Sequence, residues 1–206
     1  MSPKVSQEHK EQRRSNILKA AREVFSELGY EHTTMKHVME RAGVSRGGLY
    51  QYFENKENLF EALIDAEQGE HIEANIQSML QEHGSYWDVL LMSFLGESKQ
   101  ATNEMDALAS SKLEYFVTGR HDESRMKHAQ KRYADGYQMT ASIIQEGVKA
   151  GEFSPRFEPD VMAKAIISHI DGMALDHAIL DAETIQLKEQ TEWLMGYLKW
   201  GLGVVE

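Results

Sequence analysis

Four residues between positions 46 and 52, followed by Lys56, carry groups that suit binding to a nucleic acid. Arg46 has a planar guanidinium, which can donate two hydrogen bonds to the O6 and N7 atoms of guanine. Tyr50, Gln51 and Tyr52 supply hydroxyl and amide groups that can bond to bases or to phosphates. Lys56 stands near the predicted start of a helix, where unpaired backbone N–H groups favour a phosphate. Together these residue types predict a surface that contacts DNA.

Each of these residues also has an ordinary structural interpretation, which residue type alone leaves open. Tyr50 and Tyr52 could pack against a preceding helix, and Arg46 could pair with an acid on the surface. Lys56 could be a solvated lysine at a helix end. Gly48 could serve helix packing, since a glycine costs about 1 kcal/mol inside a helix and is not there for helix propensity.

Two short helices joined by a tight turn must position these groups. Thr33 or Thr34 can cap the first helix, because a hydroxyl can accept a hydrogen bond from a free amide of the first turn. Gly43 can adopt a positive φ angle, and Ser45 can cap the second helix, which ends near Tyr52. Two helices that meet at a sharp angle in this way predict a helix-turn-helix, whose second helix enters the major groove of DNA.

The rest of the chain also predicts helices, so we expect an all-α fold. Only three prolines occur, at positions 3, 155 and 159, and runs that alternate apolar and polar residues are missing. Apolar residues recur instead at steps of three and four. Asn55 is expected to cap a long fourth helix that bridges the two halves of the chain. We predict about nine helices, over 17–28, 35–42, 45–52, 55–80, 85–100, 104–118, 121–150, 160–180 and 184–201.

The run of residues 33–59 resembles the DNA-binding signature of the tetracycline-repressor (TetR) family of bacterial transcriptional regulators. The matching pattern is T-T-M-x-x-V-x-x-x-A-G-V-S-R-G-G-L-Y-x-Y-F-x-x-K-E-x-L, which is long and ordered. The resemblance implies a helix-turn-helix DNA-binding domain over 1–54 and a helical domain over 55–206 that binds an effector and dimerises. It implies operator DNA, a second copy of the chain and a small-molecule effector as partners. No cofactor is expected.

Carried over residue by residue, the resemblance implies a role for each position of the signature. Leu49 and Phe53 would be core residues. Met39 stands where the family often has a small alanine, which affects packing inside the motif. The others would contact DNA: Thr34 and Ser45 at phosphates, Arg46, Gly47, Tyr50 and Gln51 at bases or the groove floor, and Tyr52 and Lys56 at phosphates.

The charge of the chain is uneven along its length. The 206 residues carry a net charge of −11, but residues 1–60 hold ten Lys and Arg against eight Asp and Glu, a balance of +2. The remainder, with 12 basic and 25 acidic residues, carries −13. A weakly basic N-terminal segment followed by an acidic remainder suggests that a polyanion binds at the N-terminal end. Chance variation in the charge of a helical surface explains the same difference equally well.

Composition excludes several classes of protein. There is no cysteine, which excludes disulfides, zinc ribbons, thiolate nucleophiles and iron–sulfur ligation. A hydrophobic fraction of 41% and a charged fraction of 27% indicate a globular chain. No apolar run approaches the roughly 18–20 residues of a membrane span, and the first residues hold no apolar core of a secretory signal. We therefore expect a cytoplasmic protein without membrane contact.

The last two predicted helices are expected to form a dimer interface. A short recognition helix touches few bases, so specificity needs two copies on a palindromic site. Small residues on these helices allow close approach, and four helices from two chains would make a bundle. Alternatively, the same stripes only complete the core of each monomer. The interface is predicted at Ile166, Ile170, Ala174, Trp193, Leu194 and Tyr197.

Aromatic and methionine side chains are frequent between positions 86 and 173. They can line a cavity for a bulky apolar or amphipathic molecule, although an ordinary core explains most such stripes. The family resemblance favours a cavity, and the acidic surroundings favour a cationic or neutral ligand over an anion. Its walls are predicted at Trp87, Phe94, Phe116, Tyr137 and His169, with Asp176 as a polar anchor.

An enzyme is not predicted. His169 with Asp171, or Asp176 with His177, could act as acid and base or as metal ligands, but such a site needs several groups that converge on one point. On one helix face only His169 and Asp176 align. No metal is therefore expected. The nearest alternative function is that of a DNA-binding architectural protein without an effector.

Overall fold

The computed structural model describes residues 7–68, 72–96 and 99–204 of the chain, and every regular element among them is a helix. This confirms the all-α prediction. The helices are α1 (Gln7–His32), α2 (Met35–Ala42), α3 (Arg46–Tyr50), α4 (Lys56–Gln68), α5 (Ile72–His83), α6 (Tyr86–Leu95), α7 (Ala109–Thr118), α8 (Glu123–Lys149), α9 (Pro159–Ile179) and α10 (Leu187–Leu202).

The first of two hydrophobic cores lies among α1, α2, α3 and α4. The buried stripe of α1 begins at Ile17 and packs with Val38 of α2, Leu49 of α3 and Phe60 of α4. α7 adds the fully buried Tyr115 to the same core. The first core therefore extends beyond position 54, and the predicted domain boundary between 54 and 55 stays a prediction.

The second core joins the remaining helices. Ile76 of α5, Leu90 of α6, Ile143 of α8, Ile166 of α9 and Leu194 of α10 are buried in it. α8 packs along α9, and α7 lies against both α1 and α9. α7 thus contacts helices of both cores.

Several predicted helix ends were wrong, for local reasons. α6 ends before Gly96, whose φ of 71° breaks the helix. α7 begins later than predicted, because the Asp106 carboxylate accepts the N–H of Leu108 in a turn that precedes the helix. α10 begins after Gln186, which has a φ of 52°. The long fourth helix is described as α4 and α5, and its residues 69–71 lie outside the described part of the chain.

None of the helices described over 7–68, 72–96 and 99–204 is both long enough and apolar enough to cross a bilayer.

Candidate nucleic-acid interface and ligand cavity

The turn between α2 and α3 has the capping geometry that the sequence predicted. The Thr34 hydroxyl accepts the backbone N–H of His37, whose Nδ1 accepts the N–H of Thr34, both at 3.3 Å. Gly43 ends α2 with a φ of 63°, and the Ser45 hydroxyl accepts the N–H of Gly48 at 3.2 Å. These local contacts satisfy free backbone groups at the start and end of α2 and at the start of α3.

One side of α3 is exposed and polar while the other is buried. Leu49 and Phe53 are buried in the first core, as predicted. Tyr52 is half-buried against that core, and the guanidinium of Arg46 lies 5.5 Å from the ring centre of Tyr50. The exposed residues are Thr34, Ser45, Arg46, Gly47, Tyr50 and Gln51. Their surface is accessible to DNA, and their contacts with it stay predictions.

Lys56 is engaged within the fold. Its ammonium donates hydrogen bonds to the carbonyl oxygens of Tyr30 at 2.7 Å and Glu31 at 3.2 Å, and it lies 4.3 Å from the centre of the Tyr30 ring. Burial lowers the pKa of Lys56, against the nearby Glu31 charge, which raises it. The sequence missed this role, since the carbonyl groups lie 25 and 26 positions away. A phosphate contact would have to draw the ammonium off these oxygens.

A second cation, Arg125 of α8, lies at the same junction between α1 and the body of the chain. Its guanidinium carbon is 5.0 Å from the ring centre of Tyr30 and 4.3 Å from that of Tyr115, and it also donates to the carbonyl of Tyr115. The Tyr115 hydroxyl donates to Glu61 of α4 at 2.5 Å. This cluster fastens α1, α4, α7 and α8 together, and no local pattern in the sequence predicted it.

A partly open cavity of about 680 Å³ lies in the body, lined by residues of α4 to α9 and of the segment before α7. Phe94 and Phe116 line it, as predicted. Much of the remaining wall is apolar and adaptable: Met79, Met92, Met105, Leu113, Met139, Ile166, Ile167, Ile170 and Ala174. Cavities of this size and character hold drug-sized ligands.

Polar groups meet at one part of the cavity wall. The Tyr133 hydroxyl of α8 donates to the Asp171 carboxylate of α9 at 2.8 Å, and burial raises the pKa of both groups. Lys112 and Arg132 also line the wall, so cations and carboxylates are both present. Burial lowers the pKa of Arg132, and nearby carboxylates including Asp65 raise it in part. Asp171 was not among the residues predicted for the cavity, because it does not share a helix face with His169.

A chain of ion pairs connects this wall to α1. Asp106, which lines the cavity, accepts from Lys112 of α7 at 2.6 Å and from Arg22 of α1 at 3.1 Å. Burial alone would raise the pKa of Asp106, but Lys112 and Arg22 outweigh it and lower that pKa. A residue of the cavity therefore directly contacts α1, the helix that packs against α2 of the helix-turn-helix.

Four residues predicted as cavity walls or anchor lie elsewhere. Trp87 is half-buried against the second core, with the Lys199 ammonium 5.9 Å from its ring centre. Tyr137 packs on Tyr133, their ring centres 5.9 Å apart, and His169 packs on the exposed Trp193 at 5.8 Å. Asp176 is exposed on α9. The lining of this cavity contains none of these four: Trp87, Tyr137, His169 and Asp176.

The residues predicted for a dimer interface divide into two groups. Ile166, Ala174 and Leu194 are buried within the single chain, and Ile170 lines the cavity beside Ile166 and Ala174. These four therefore do not form an open surface. Trp193 is 61% exposed and Tyr197 44% exposed, with parallel rings 5.5 Å apart.

Among the described side chains, no three His, Asp or Glu residues come together as a metal site would require. His169 and Asp171 point to different neighbours, Trp193 and Tyr133 respectively.

The sequence matches two family patterns in known proteins. Residues 17–63 match the family described as "Bacterial regulatory proteins, tetR family", and residues 90–188 match "Tetracyclin repressor-like, C-terminal domain". The uncharacterised HTH-type transcriptional regulator YfiR of Bacillus subtilis (strain 168) is 36% identical over 200 residues, which are 97% of this chain and 96% of that protein.

Two solved structures are similar in fold. The reduced form of E. coli NemR has a TM-score of 0.71 at 16% identity, covering 92% of this chain and 97% of that one. FadR from Bacillus subtilis, solved in complex with stearoyl-CoA, has a TM-score of 0.58 at 21% identity, covering 88% and 96%. These identities establish a shared fold and nothing finer.

Proposed function

Because this chain belongs to the tetR family of bacterial regulatory proteins, we propose that it is a repressor that binds a palindromic operator as a homodimer and is released by a small effector. The family makes it a helix-turn-helix transcriptional regulator. Relatives such as YfiR of Bacillus subtilis and TtgR of Pseudomonas putida are named as HTH-type transcriptional regulators, in keeping with a function that is not enzymatic. Repression, the dimer and the effector are our inferences.

The exposed surface of α3 supports the proposed DNA contacts. Arg46 opens the helix with an exposed guanidinium, and Gly47 beside it leaves room for a close approach of the DNA backbone. Tyr50 and Gln51 follow on the exposed side. Since α3 has only five residues, one copy reads few bases, and we infer two copies whose recognition helices lie about 34–36 Å apart or a multiple of that.

Exposed apolar residues on α9 and α10 support the proposed dimer. Trp193, Tyr197 and Trp200 of α10 are exposed, and Leu175 and Ile179 of α9 are 51% and 72% exposed. Aromatic residues are enriched at protein–protein interfaces relative to the rest of the protein surface. We infer that α9 and α10 of two chains pair through these residues.

The cavity supports an amphipathic effector with an apolar body and one polar end. Methionines and the rings of Phe94 and Phe116 would contact the body, and Asp171 with Tyr133 would receive a polar group that can donate a hydrogen bond. FadR, which shares this fold, was solved with the amphipathic stearoyl-CoA.

The single observation that carries the proposed regulation is the position of Asp106. Its carboxylate lies in the cavity wall and is bonded both to Lys112 of the cavity and to Arg22 of α1. A ligand releases DNA only if it binds one conformation more tightly than the other. A ligand that disturbs Asp106 would loosen the hold of the cavity wall on α1, and hence move the two recognition helices out of register with the operator.

Release of labelled operator tests this proposal. The operator is recovered by selection from a random-sequence duplex library, and hydrophobic cations, neutral amphiphiles and long-chain acyl compounds are screened for its release. Active compounds are then tested on Phe116→Ala, which changes the cavity wall, and on Trp87→Ala as the matched control outside it. We expect weaker release from the Phe116 variant alone. Equal effects on both variants would contradict the cavity as the effector site, and release by no compound would favour a regulator without an effector.

A further inference from the structure

The N-terminal part of α1 extends beyond the core of the protein. The first buried side chain of α1 is Ile17, and residues 7–16 are all exposed. At 1.5 Å per residue this segment is about 15 Å long. Side-chain hydrogen bonds from Gln7 to Glu11 and from Gln12 to Asn16 support it as a helix.

Three basic residues of this segment continue the stripe of α1 that becomes buried at Ile17. Lys10, Arg13 and Arg14 precede Ile17 by seven, four and three positions, so all of them lie on one face of the helix. Ile17 on that face belongs to the same buried core as Leu49 of α3 and Phe53 after it. The basic residues therefore lie where this face continues beyond the buried core, toward the N-terminus of α1.

Two contacts place this basic face beside α3. The guanidinium carbon of Arg14 is 5.5 Å from the ring centre of Phe53. A Cβ atom added to Gly48 would lie 3.1 Å from Nη2 of Arg13 and 3.2 Å from the hydroxyl oxygen of Ser45. Glycine at position 48 thus leaves room for the Arg13 guanidinium next to the first turn of α3, where Ser45 and its neighbours are proposed to meet DNA.

The charge of Arg13 is also available. Arg41 is bonded to Glu23 at 3.1 Å and to Glu27 at 2.6 Å, and Lys36 is paired with Glu40. Among the described residues, by contrast, no carboxylate lies within 4 Å of the guanidinium of Arg13. An exposed guanidinium without a counter-charge, held beside a recognition helix, suits a phosphate of the DNA backbone.

We propose that Arg13 of α1 binds a phosphate at the edge of the major groove that α3 occupies. This proposal rests on the proposed operator binding and adds a contact from outside the helix-turn-helix. Because a five-residue recognition helix offers few anchoring groups, a phosphate contact from α1 would fix its orientation in the groove.

The salt dependence of operator affinity tests the role of Arg13. Each lost phosphate contact lowers the slope of log affinity against log salt by about 0.9, so Arg13→Ala in both subunits should lower it by about 2. Lys19→Ala is the matched control, because it removes the same charge from an exposed residue on the opposite face of the same helix. We expect this control to keep the parent slope, and Arg13→Lys to restore most of the slope that Arg13→Ala loses.

The outcomes separate this proposal from the proposed function. The phosphate contact would be overturned if Arg13→Ala kept the parent's slope of log affinity against log salt. It would also be overturned if Lys19→Ala lowered that slope as much as Arg13→Ala does. Either result would leave the proposed operator binding intact. Failure of the parent protein to bind any duplex would overturn both. Since Arg13 is exposed, thermal unfolding of each variant checks that its fold is that of the parent.

Discussion

Removing the Asp106 carboxylate is expected to destabilise the protein and to weaken its response to an effector. The Lys112 side chain is only 16% exposed, and its partner Asp106 is 38% exposed. An exposed ion pair contributes about 0–1 kcal/mol, whereas breaking a fully buried pair costs about 3–5 kcal/mol. For this half-buried pair we expect Asp106→Asn to lower the free energy of unfolding by about 1–2 kcal/mol.

The pH dependence of the same variant gives a second measurement. The pKa of Asp106 in the folded protein lies below its ordinary value of 3.8, because Lys112 and Arg22 favour the carboxylate. The stabilisation is therefore complete above the ordinary value and is lost as the pH falls through the lower pKa of the folded state. The parent should lose this part of its stability in acid. The difference in free energy of unfolding between the parent and Asp106→Asn should therefore become smaller at low pH.

Urea unfolding at several pH values provides the assay, with Glu123→Gln as the matched control. Glu123 accepts from Lys127 at 2.7 Å, but both side chains are more than 70% exposed, so the control should cost well under 1 kcal/mol. Effector release of operator is measured on the same proteins. The assigned role of Asp106 would be refuted if Asp106→Asn lost no more unfolding free energy than the control. It would also be refuted if effectors still released operator fully from this variant.

Three further predictions concern the junction, the dimer and the second core. Lys56→Met should lower the free energy of unfolding by about 1–2 kcal/mol, because the Lys56 ammonium donates to two carbonyl groups. If stability were unchanged and the salt dependence of operator affinity were smaller, Lys56 would contact a DNA phosphate instead. Trp193→Asp should give monomers by light scattering, since Trp193 is exposed on the proposed interface, and a persistent dimer would move the interface elsewhere. Gly147→Ala should cost about 1–3 kcal/mol in thermal unfolding, because its Cβ would overlap the ring of Phe153, whereas Gly172→Ala meets nothing and should not destabilise.

Local sequence chemistry was sufficient for the helix-turn-helix. The caps at Thr34 and Ser45 and the left-handed Gly43 each act within three or four residues, so their effect can be predicted from neighbours in the chain. The apolar stripe of α1 follows from the helical repeat in the same way, whereas the burial of Leu49 and Phe53 was expected from the family resemblance. This is why the two short helices and their turn could be predicted from neighbouring residues, whereas the role of each recognition residue came from the family resemblance and its DNA contacts stay predictions.

The same reasoning was weaker in the body of the chain. α9 carries apolar side chains on more than one face, and periodicity does not say which face meets another helix of the same chain and which meets a partner. The stripe with Ile166, Ile170 and Ala174 was assigned to the dimer, yet these residues line the cavity. The stripe of Trp193 and Tyr197 had the same type of pattern and is exposed.

The sequence by itself determined the all-α fold, the recognition helix and the presence of aromatic and methionine side chains that could line a cavity. Only the tertiary structure decided which polar groups meet. Tyr133 and Asp171 are 38 positions apart, and Arg22 and Asp106 are 84 apart. Such pairs depend on how whole helices pack, which is set by the fit of many side chains at once. For this reason the cavity chemistry and its link to α1 could not be predicted from spacing along the chain.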